Sequence, residues 1–314
     1  MDVSIVIVTY NSEKQIEACL NSVFSQTRGV TQEVVVVDNL SKDGTAALLQ
    51  KRYPQVKLIL PGANLGFARG VNLGAKHSIG DYILLLNPDT EVRDHAIDEV
   101  VAFARKHPEF GFYGGRNLKP DGSLEPSSCW GQPTLWSMAM FALGLSTVFR
   151  HNSFFDPESL GSWKRDTVRE VGVITGCFLL ARRDAWEKLR GMDERFFMYG
   201  EDVDFAMRAR EAGYRPVLVP QAIIMHEVGA SSDKPINKMM LLYKGKAALV
   251  RRHWKGFGRS LGLFFLVLGV GLRALPAWLK SLIRGGEPGK WHLLWSRRKE
   301  WLIGYPTSQS PQSP

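Results

Sequence analysis

The sequence predicts an α/β fold in which a mostly parallel, doubly wound sheet is flanked by helices. Three observations predict it. Four short apolar runs rich in β-branched residues recur at 3–9 (VSIVIVT), 33–39 (EVVVVDN), 56–61 (VKLILP) and 81–90 (DYILLLNPDT). Such runs suit strands buried on both faces, as parallel strands are. Between them the apolar spacing turns helical, so each connection reads as a crossover. Each run also ends in polar residues, where an open parallel sheet binds its ligands.

The first strand ends at Tyr10-Asn11-Ser12, and the stretch from Glu13 to Phe24 sets Ile16, Leu20, Val23 and Phe24 at helical spacing. The second ends at Asp38-Asn39, with SKDGT as a turn and 46–53 helical beyond it. After the third, NLGFARGVNLGAKHS (64–78) reads as a Gly-rich lead-in to a helix. The fourth ends in the polar tip Asn87-Pro88-Asp89. Thr9, Tyr10, Asn11, Asp38, Asn64 and Asn87 to Asp89 therefore fall where this fold places a site.

Residues 111–175 hold a turn at Lys119-Pro120-Asp121-Gly122 and the apolar stretch 135–149. Fifteen residues are too few for a bilayer, which takes roughly 20, so the stretch reads as a core or an interfacial helix. A strand and helix follow over 171–189. A loop then enters a helix over 191–213, with Gly213 as its stop. Residues 214–231 hold one or two strands, with His226 near their end. The expected organisation is a catalytic domain over 1–232, in halves of 1–110 and 111–232, followed by a helical region over 233–305 and a disordered tail over 306–314.

The 233–305 region differs in chemistry from the rest. Between Lys234 and Lys299 lie 15 of the 40 Lys and Arg residues and a single acid, Glu287, leaving 25 basic and 30 acidic residues elsewhere. Within this block LGLFFLVLGVGLRALPAWL (261–279) carries one charge, Arg273, and one proline, Pro276. Apolar stretches with basic flanks and nearby Trp278, Trp291 and Trp295 suit an anionic membrane surface. A nucleic-acid binder would carry solvated or stacking residues in those places, so no nucleic-acid partner is expected. Arg273 and Pro276 favour a helix lying flat, or a short hairpin, over one that inserts. A hydrophobic helix pair packed on the catalytic domain gives the same pattern. Cys19, Cys129 and Cys177 are odd in number and match no zinc or redox spacing, as in a reducing compartment. Met1-Asp2 runs straight into the first strand without a basic leader, so the N-terminus is expected to stay in the cytosol.

Four groups of residues carry chemistry suited to transfer from an activated nucleotide. Asp38 can accept from a base N–H or a ribose hydroxyl, or simply close a turn. Asn64, Gly66, Phe67 and Asn72 lie in the Gly-rich turn and the helix behind it, where backbone and helix N-terminus can approach phosphate. Asp89 offers carboxylate oxygen to a hard divalent cation, Mg2+ or Mn2+, on a diphosphate, with His226 as a second protein ligand. Glu201-Asp202 begin a helix after the aromatic loop 196–199, where a carboxylate can act as general base.

Together these strings resemble glycosyltransferase family 2, enzymes of the Rossmann-like GT-A fold. The matching segments are VSIVIVTYNS, VVVVDNLSKDGT, NLGFARGVNLG, LLLNPDT, TGCFLLARRDAW and GMDERFFMYGEDVDFAMRAREAGY, followed by His226, in order across residues 3–230. Within the family the chain looks most like the rhamnosyltransferase-type members of bacterial cell-surface polysaccharide synthesis. The resemblance implies that Thr9, Tyr10 and Asp38 hold the nucleoside and Asn64 and Asn72 the donor. Asn87-Pro88-Asp89 stands where the family has a metal-binding Asp-x-Asp. Asp202 would be the base, and His226 would assist the metal. It implies an inverting transfer from a dTDP- or UDP-sugar to a glycan or polyprenyl-linked acceptor, at the cytoplasmic side of the inner membrane. Two departures stand out. Asn87 replaces the first Asp, removing one metal carboxylate. The Gln-x-x-Arg-Trp signature of processive synthases is absent, so transfer of one sugar is expected.

Two other readings exist. A sugar nucleotidyltransferase would need a basic Gly-rich loop after the first strand, which Tyr10-Asn11-Ser12 does not supply. A degenerate scaffold docked at the membrane would explain Asn87, but not the presence of Glu201-Asp202 together with His226.

Overall fold

The computed structural model describes residues 1–226, 235–284 and 289–306. The expected domain boundary at 232 and the tail beyond Pro306 lie outside the described residues. The chain runs β1 (Val3–Thr9), α1 (Glu13–Gln26), β2 (Gln32–Asp38), α2 (Thr45–Arg52), β3 (Lys57–Ile59), α3 (Phe67–Lys76) and β4 (Tyr82–Leu86). Then come β5 (Thr90–Val92), α4 (Ala96–Lys106), β6 (Phe112–Leu118), β7 (Cys129–Trp130), α5 (Leu135–Ala142) and α6 (Leu145–Val148). The second half continues with β8 (Arg169–Glu170), β9 (Val173–Ile174), β10 (Phe178–Arg182), α7 (Arg183–Lys188), α8 (Glu201–Glu211) and β11 (Val217–His226). Four helices close it: α9 (Pro235–His253), α10 (Gly256–Arg284), α11 (Lys290–Ser296) and α12 (Arg298–Leu302).

The main sheet has the order β3-β2-β1-β4-β10-β6-β11-β5, with β8 also on β11. Its first four strands are parallel, as their continuous apolar runs require. Beyond β4 the sheet is mixed. Strand β10 runs antiparallel between β4 and β6, while β6 and β11 are parallel. The chain order reverses beside β1, which pairs with β2 on one side and β4 on the other. Such a switch leaves a crevice at the strand ends. One apolar core fills the α1, α2 and α4 face of the sheet, with Ile16, Leu20, Ile97 and Val101 in it. A second fills the face with Ala68, Val71, Trp186 and Phe205.

The fourth predicted strand is in fact two. Strand β4 stops at Leu86, Asn87-Pro88-Asp89 turns, and β5 leaves to pair antiparallel with the end of β11. Proline removes a ladder donor and so favours a break there. In this register Thr90 faces His226, which carries Asp89 to the same place. Helix α8 ends as Gly213 predicts. Gly213 has φ 93°, its N–H donates to the Arg210 carbonyl, and the Tyr214 N–H donates to the Ala209 carbonyl. These are the two bonds of a Schellman stop.

The stretch 135–149 forms α5 and α6, with Thr134 and Ser137 capping α5 reciprocally. Helix α5 packs on α10, and a third apolar cluster joins Met138, Tyr243, Val250, Leu266, Val270 and Trp301. Arg273 turns inward. Its guanidinium donates to the Phe141 carbonyl at 2.7 Å and lies 4.3 Å from the Phe141 ring centre. The single charge of the apolar helix therefore satisfies the C-terminal carbonyls of α5.

Candidate functional site

A cavity of about 780 Å³ opens at the C-terminal ends of β1, β2 and β4. Thr9, Tyr10, Asn64, Gly66, Phe67, Asn87, Asp89, Glu201, Asp202 and His226 all line it. Residues as far apart in the chain as Thr9 and His226 thus meet on one surface. Three expected residues do not line it. Asp38 sits behind the wall, accepting from Thr9 Oγ1 at 2.8 Å and from the Ser41 N–H at 3.0 Å. Asn11 accepts from the Lys42 N–H at 2.7 Å and so ties the first strand tip to the second. Asn72 is committed elsewhere: its amide donates to the Met192 carbonyl at 2.8 Å and accepts from the Met192 N–H at 2.9 Å.

The Gly-rich turn is built around Asn39, whose role the sequence did not reveal. Its side chain donates to the Gly66 carbonyl at 2.9 Å and accepts from the Leu65 N–H at 3.3 Å. Asn64 accepts from the Gly66 N–H at 3.0 Å. Gly66 itself has φ 78°, and a β-carbon there would fall 2.3 Å from the Phe197 carbonyl oxygen. Only glycine allows this approach. It holds the donor-side turn against the aromatic loop that leads into α8, and the Phe67 N–H donates to the same carbonyl at 2.8 Å.

The paired ladder of β5 and β11 brings Asp89 Oδ1 to 3.4 Å from His226 Nε2. Asp89 Oδ1 and His226 Nδ1 are buried and have no hydrogen-bond partner. Burial alone would depress the His226 pKa, but Asp89 and Cys177 beside it hold it up at about 10. Cys177 also accepts from the Asn117 amide at 3.2 Å. No cluster of three or more His, Cys, Asp or Glu is gathered for a metal ion among the described residues. The orphaned Asp89 oxygen suits a hard cation that keeps water and substrate phosphate in its shell, and His226 would join it once its proton is displaced.

Across the cavity, α8 presents Glu201 and Asp202 in its first turn. Both carboxyls are pushed above the ordinary carboxylate range. For Glu201 burial is the main cause, with the neighbouring Asp202 charge second. For Asp202 burial again leads, opposed by N–H groups of Val203 and Gly176 that stabilise its charged form. Glu201 is buried and one of its oxygens has no partner, whereas Asp202 is partly open to the cavity. Tyr199 and Gly200 adopt φ of 67° and 101° to make the turn into α8.

The cavity also has an apolar side that sequence spacing could not locate. Met138 and Phe141 of α5, Leu249 and Val250 of α9, and Leu266 of α10 line it, together with Lys238 and Lys246. Only tertiary packing brings the C-terminal helices to the catalytic end of the sheet.

Comparison with known proteins accords with this geometry. The profile described as Glycosyl transferase family 2 matches residues 4–159. A second, Glycosyl transferase family group 2, matches residues 148–309. An N-acetylglucosaminyl-diphospho-decaprenol L-rhamnosyltransferase of Mycobacterium tuberculosis is 32% identical over 271 residues, 82% of this chain and 86% of that one. The O-antigen biosynthesis protein RfbC of Myxococcus xanthus is 30% identical over 73% of this chain and 17% of its own length. Among solved structures, a mannosyltransferase of Pyrobaculum calidifontis in complex with GDP-Man and Mn2+ superposes with a TM-score of 0.56 at 16% identity, covering 96% of this chain and 84% of that one. S. aureus TarS superposes with a TM-score of 0.51 at 18% identity, covering 96% of this chain and 78% of that one. These two show the fold, GT-A.

Proposed function

This chain belongs to glycosyltransferase family 2, and we propose that it moves one sugar, rhamnose or another hexose, from a nucleoside diphosphate to a polyprenyl-linked glycan. The observation that carries the reading is the convergence of Asp89, His226, Glu201 and Asp202 on one cavity at the strand switch. The acceptor class is supported by the mycobacterial relative, whose name gives a diphospho-decaprenol-linked acceptor.

In this reading Thr9, Tyr10, Asn64 and Asn87 hold the donor, with Asp38 and Asn11 bracing the strand tips from behind. Asp89 and His226 would hold a divalent cation, Mg2+ or Mn2+, whose charge offsets that of the departing diphosphate. Asn87 contributes a neutral amide oxygen where a second carboxylate would stand. Asp202 takes the proton from the acceptor hydroxyl as that oxygen attacks the anomeric carbon. The bond to the nucleoside diphosphate breaks on the opposite side, so the configuration inverts. Glu201, buried and biased toward its protonated form, keeps a second negative charge away from the attacking oxygen. The aromatic loop 196–199, whose Phe197, Met198 and Tyr199 line the cavity, would limit water there and favour transfer over hydrolysis.

The enzyme works peripherally at the cytoplasmic side of the membrane. Supporting this, Gly256–Leu279 of α10 is long and apolar enough to cross a bilayer, with mean hydropathy 1.8, yet it packs by one face on the domain. A docked helix that caps α5 through Arg273 cannot cross without drawing the domain in with it.

The test is a panel of nucleotide sugars with Mn2+ or Mg2+, read by thermal shift and donor hydrolysis. A dTDP- or UDP-sugar that stabilises the protein only with metal is expected. Stabilisation by no donor, with either metal, would sink the reading.

A further inference from the structure

The apolar arm of the cavity is not needed to hold a nucleotide. Residues of α5, α9 and α10 line it, in the same cavity as Glu201 and Asp202. Its position is fixed by one close backbone contact. A β-carbon on Gly245 would fall 2.2 Å from the Tyr199 carbonyl oxygen, so α9 lies directly against the turn that starts α8. Lys246, the next residue, lines the same cavity as Glu201 and Asp202.

Lys246 is half-buried, with its ammonium 4.9 Å from the centre of the Phe141 ring and 5.8 Å from that of Tyr243. Lys238 lies two turns earlier on α9 and lines the same arm. On this helix Arg252 is paired with Asp193 and Asp204, and His253 with Asp204. Lys238 and Lys246 have no ion pair among the described residues. Two unpaired ammonium groups bordering an apolar channel call for an anion with a hydrocarbon tail.

We propose that this arm seats the diphosphate and first isoprenoid units of the acceptor, with Lys246 and Lys238 as the partners of the diphosphate. The assignment rests on the lipid-linked acceptor proposed above.

Farnesyl diphosphate is the probe, its binding to the full chain measured by thermal shift. It is expected to bind in the presence of saturating UDP and metal. Farnesol and inorganic pyrophosphate should each bind far more weakly, since each lacks half the recognised group. Lys246→Met and Lys238→Met should each weaken farnesyl diphosphate roughly tenfold, as loss of a charged hydrogen bond does. Lys244→Met, whose ammonium lies over Tyr305 outside the cavity, is the same-helix control and should bind as wild type. Donor hydrolysis, measured on each variant without UDP or farnesyl diphosphate, reports the transferase site separately. Undiminished farnesyl diphosphate binding in both lysine variants would overturn the subsite, even if transfer to a lipid-linked acceptor holds. So would competition by phosphatidylglycerol vesicles equal to that by farnesyl diphosphate, which would make the arm a headgroup site.

Discussion

The backbone of Gly245 lies against the carbonyl of Tyr199, so closely that a β-carbon there would sit 2.2 Å from the carbonyl oxygen. Through this contact the C-terminal helices set the start of α8 and the position of Glu201 and Asp202. A methyl group cannot be accommodated by a rotamer change, because the atom it meets is backbone. Gly245→Ala is expected to cost about 1–3 kcal/mol, as overpacking does. It should lower kcat more than stability alone explains, since a displacement of about 1 Å at a reacting group can cost 10²-fold. Thermal unfolding with steady-state kinetics checks this. A variant with a lowered melting point and an unchanged kcat would show that α9 does not set the catalytic turn.

Asp204 makes the second link between these parts. It is fully buried and accepts from Arg208 Nε at 2.7 Å, Arg252 Nε at 2.5 Å and His253 Nε2 at 2.9 Å. Asp204→Asn leaves cationic groups without their counter-charge and is expected to cost about 3–5 kcal/mol. Adding Arg252→Met should recover part of that loss, so the two changes will not be additive in urea unfolding. Additive costs would mean that the two side chains are not energetically coupled.

The two carboxylates at the base of α8 should part company when neutralised. Asp202→Asn is expected to cut kcat by about 10²–10⁴, the usual worth of a general base, with little change in donor KM. Rate should rise with pH through a carboxyl pKa above the ordinary 3.8 for Asp. Glu201→Gln concerns stability. The folded state holds Glu201 protonated where the unfolded chain, with its ordinary value of 4.5, has already lost the proton. Stability from this group is therefore present below about 4.5 and declines as pH rises through the raised folded value. Glu201→Gln should be more stable than wild type near neutrality, and the gap should close in acid. Parallel stability curves for the two proteins from acid to neutral pH would refute this.

Much of this site was legible in the sequence because parallel strands end in the same layer. Once 3–9, 33–39 and 81–90 read as strands, Thr9, Asp38 and Asp89 fall at one end of the sheet, although Asp38 stands behind the cavity wall. Two things were not legible. Proximity to the layer does not say which way an amide is used. Asn72 resembles a donor ligand, yet it serves Met192, while Asn39, beside Asp38, does the work of shaping the Gly-rich turn. The placement of the last helices also has no periodic signal. That Lys246 reaches the cavity depends on a glycine contact between residues 199 and 245, which spacing alone cannot show.

The last prediction concerns α10, whose two faces have different partners. Leu266, Val270 and Ala274 are at most 4% exposed and face the domain. Phe257, Phe264, Leu272, Leu275 and Leu279 are between 44% and 80% exposed, at spacings of three, four or their sums along one stripe. Such a stripe flanked by Lys255 and Arg259 suits the boundary between headgroups and acyl chains. Replacing Phe264, Leu272 and Leu275 together by Ser removes about 1 kcal/mol each on partial burial, roughly two orders of magnitude in partition. Binding to phosphatidylglycerol vesicles, followed by sedimentation, should fall by that factor. Donor hydrolysis without vesicles should not change, because none of the three lines the cavity. Residual binding should be abolished by high salt, since it rests on the lysines and arginines alone. Full binding by the triple variant in high salt would mean that the stripe faces no membrane, and that another surface of the chain holds it there.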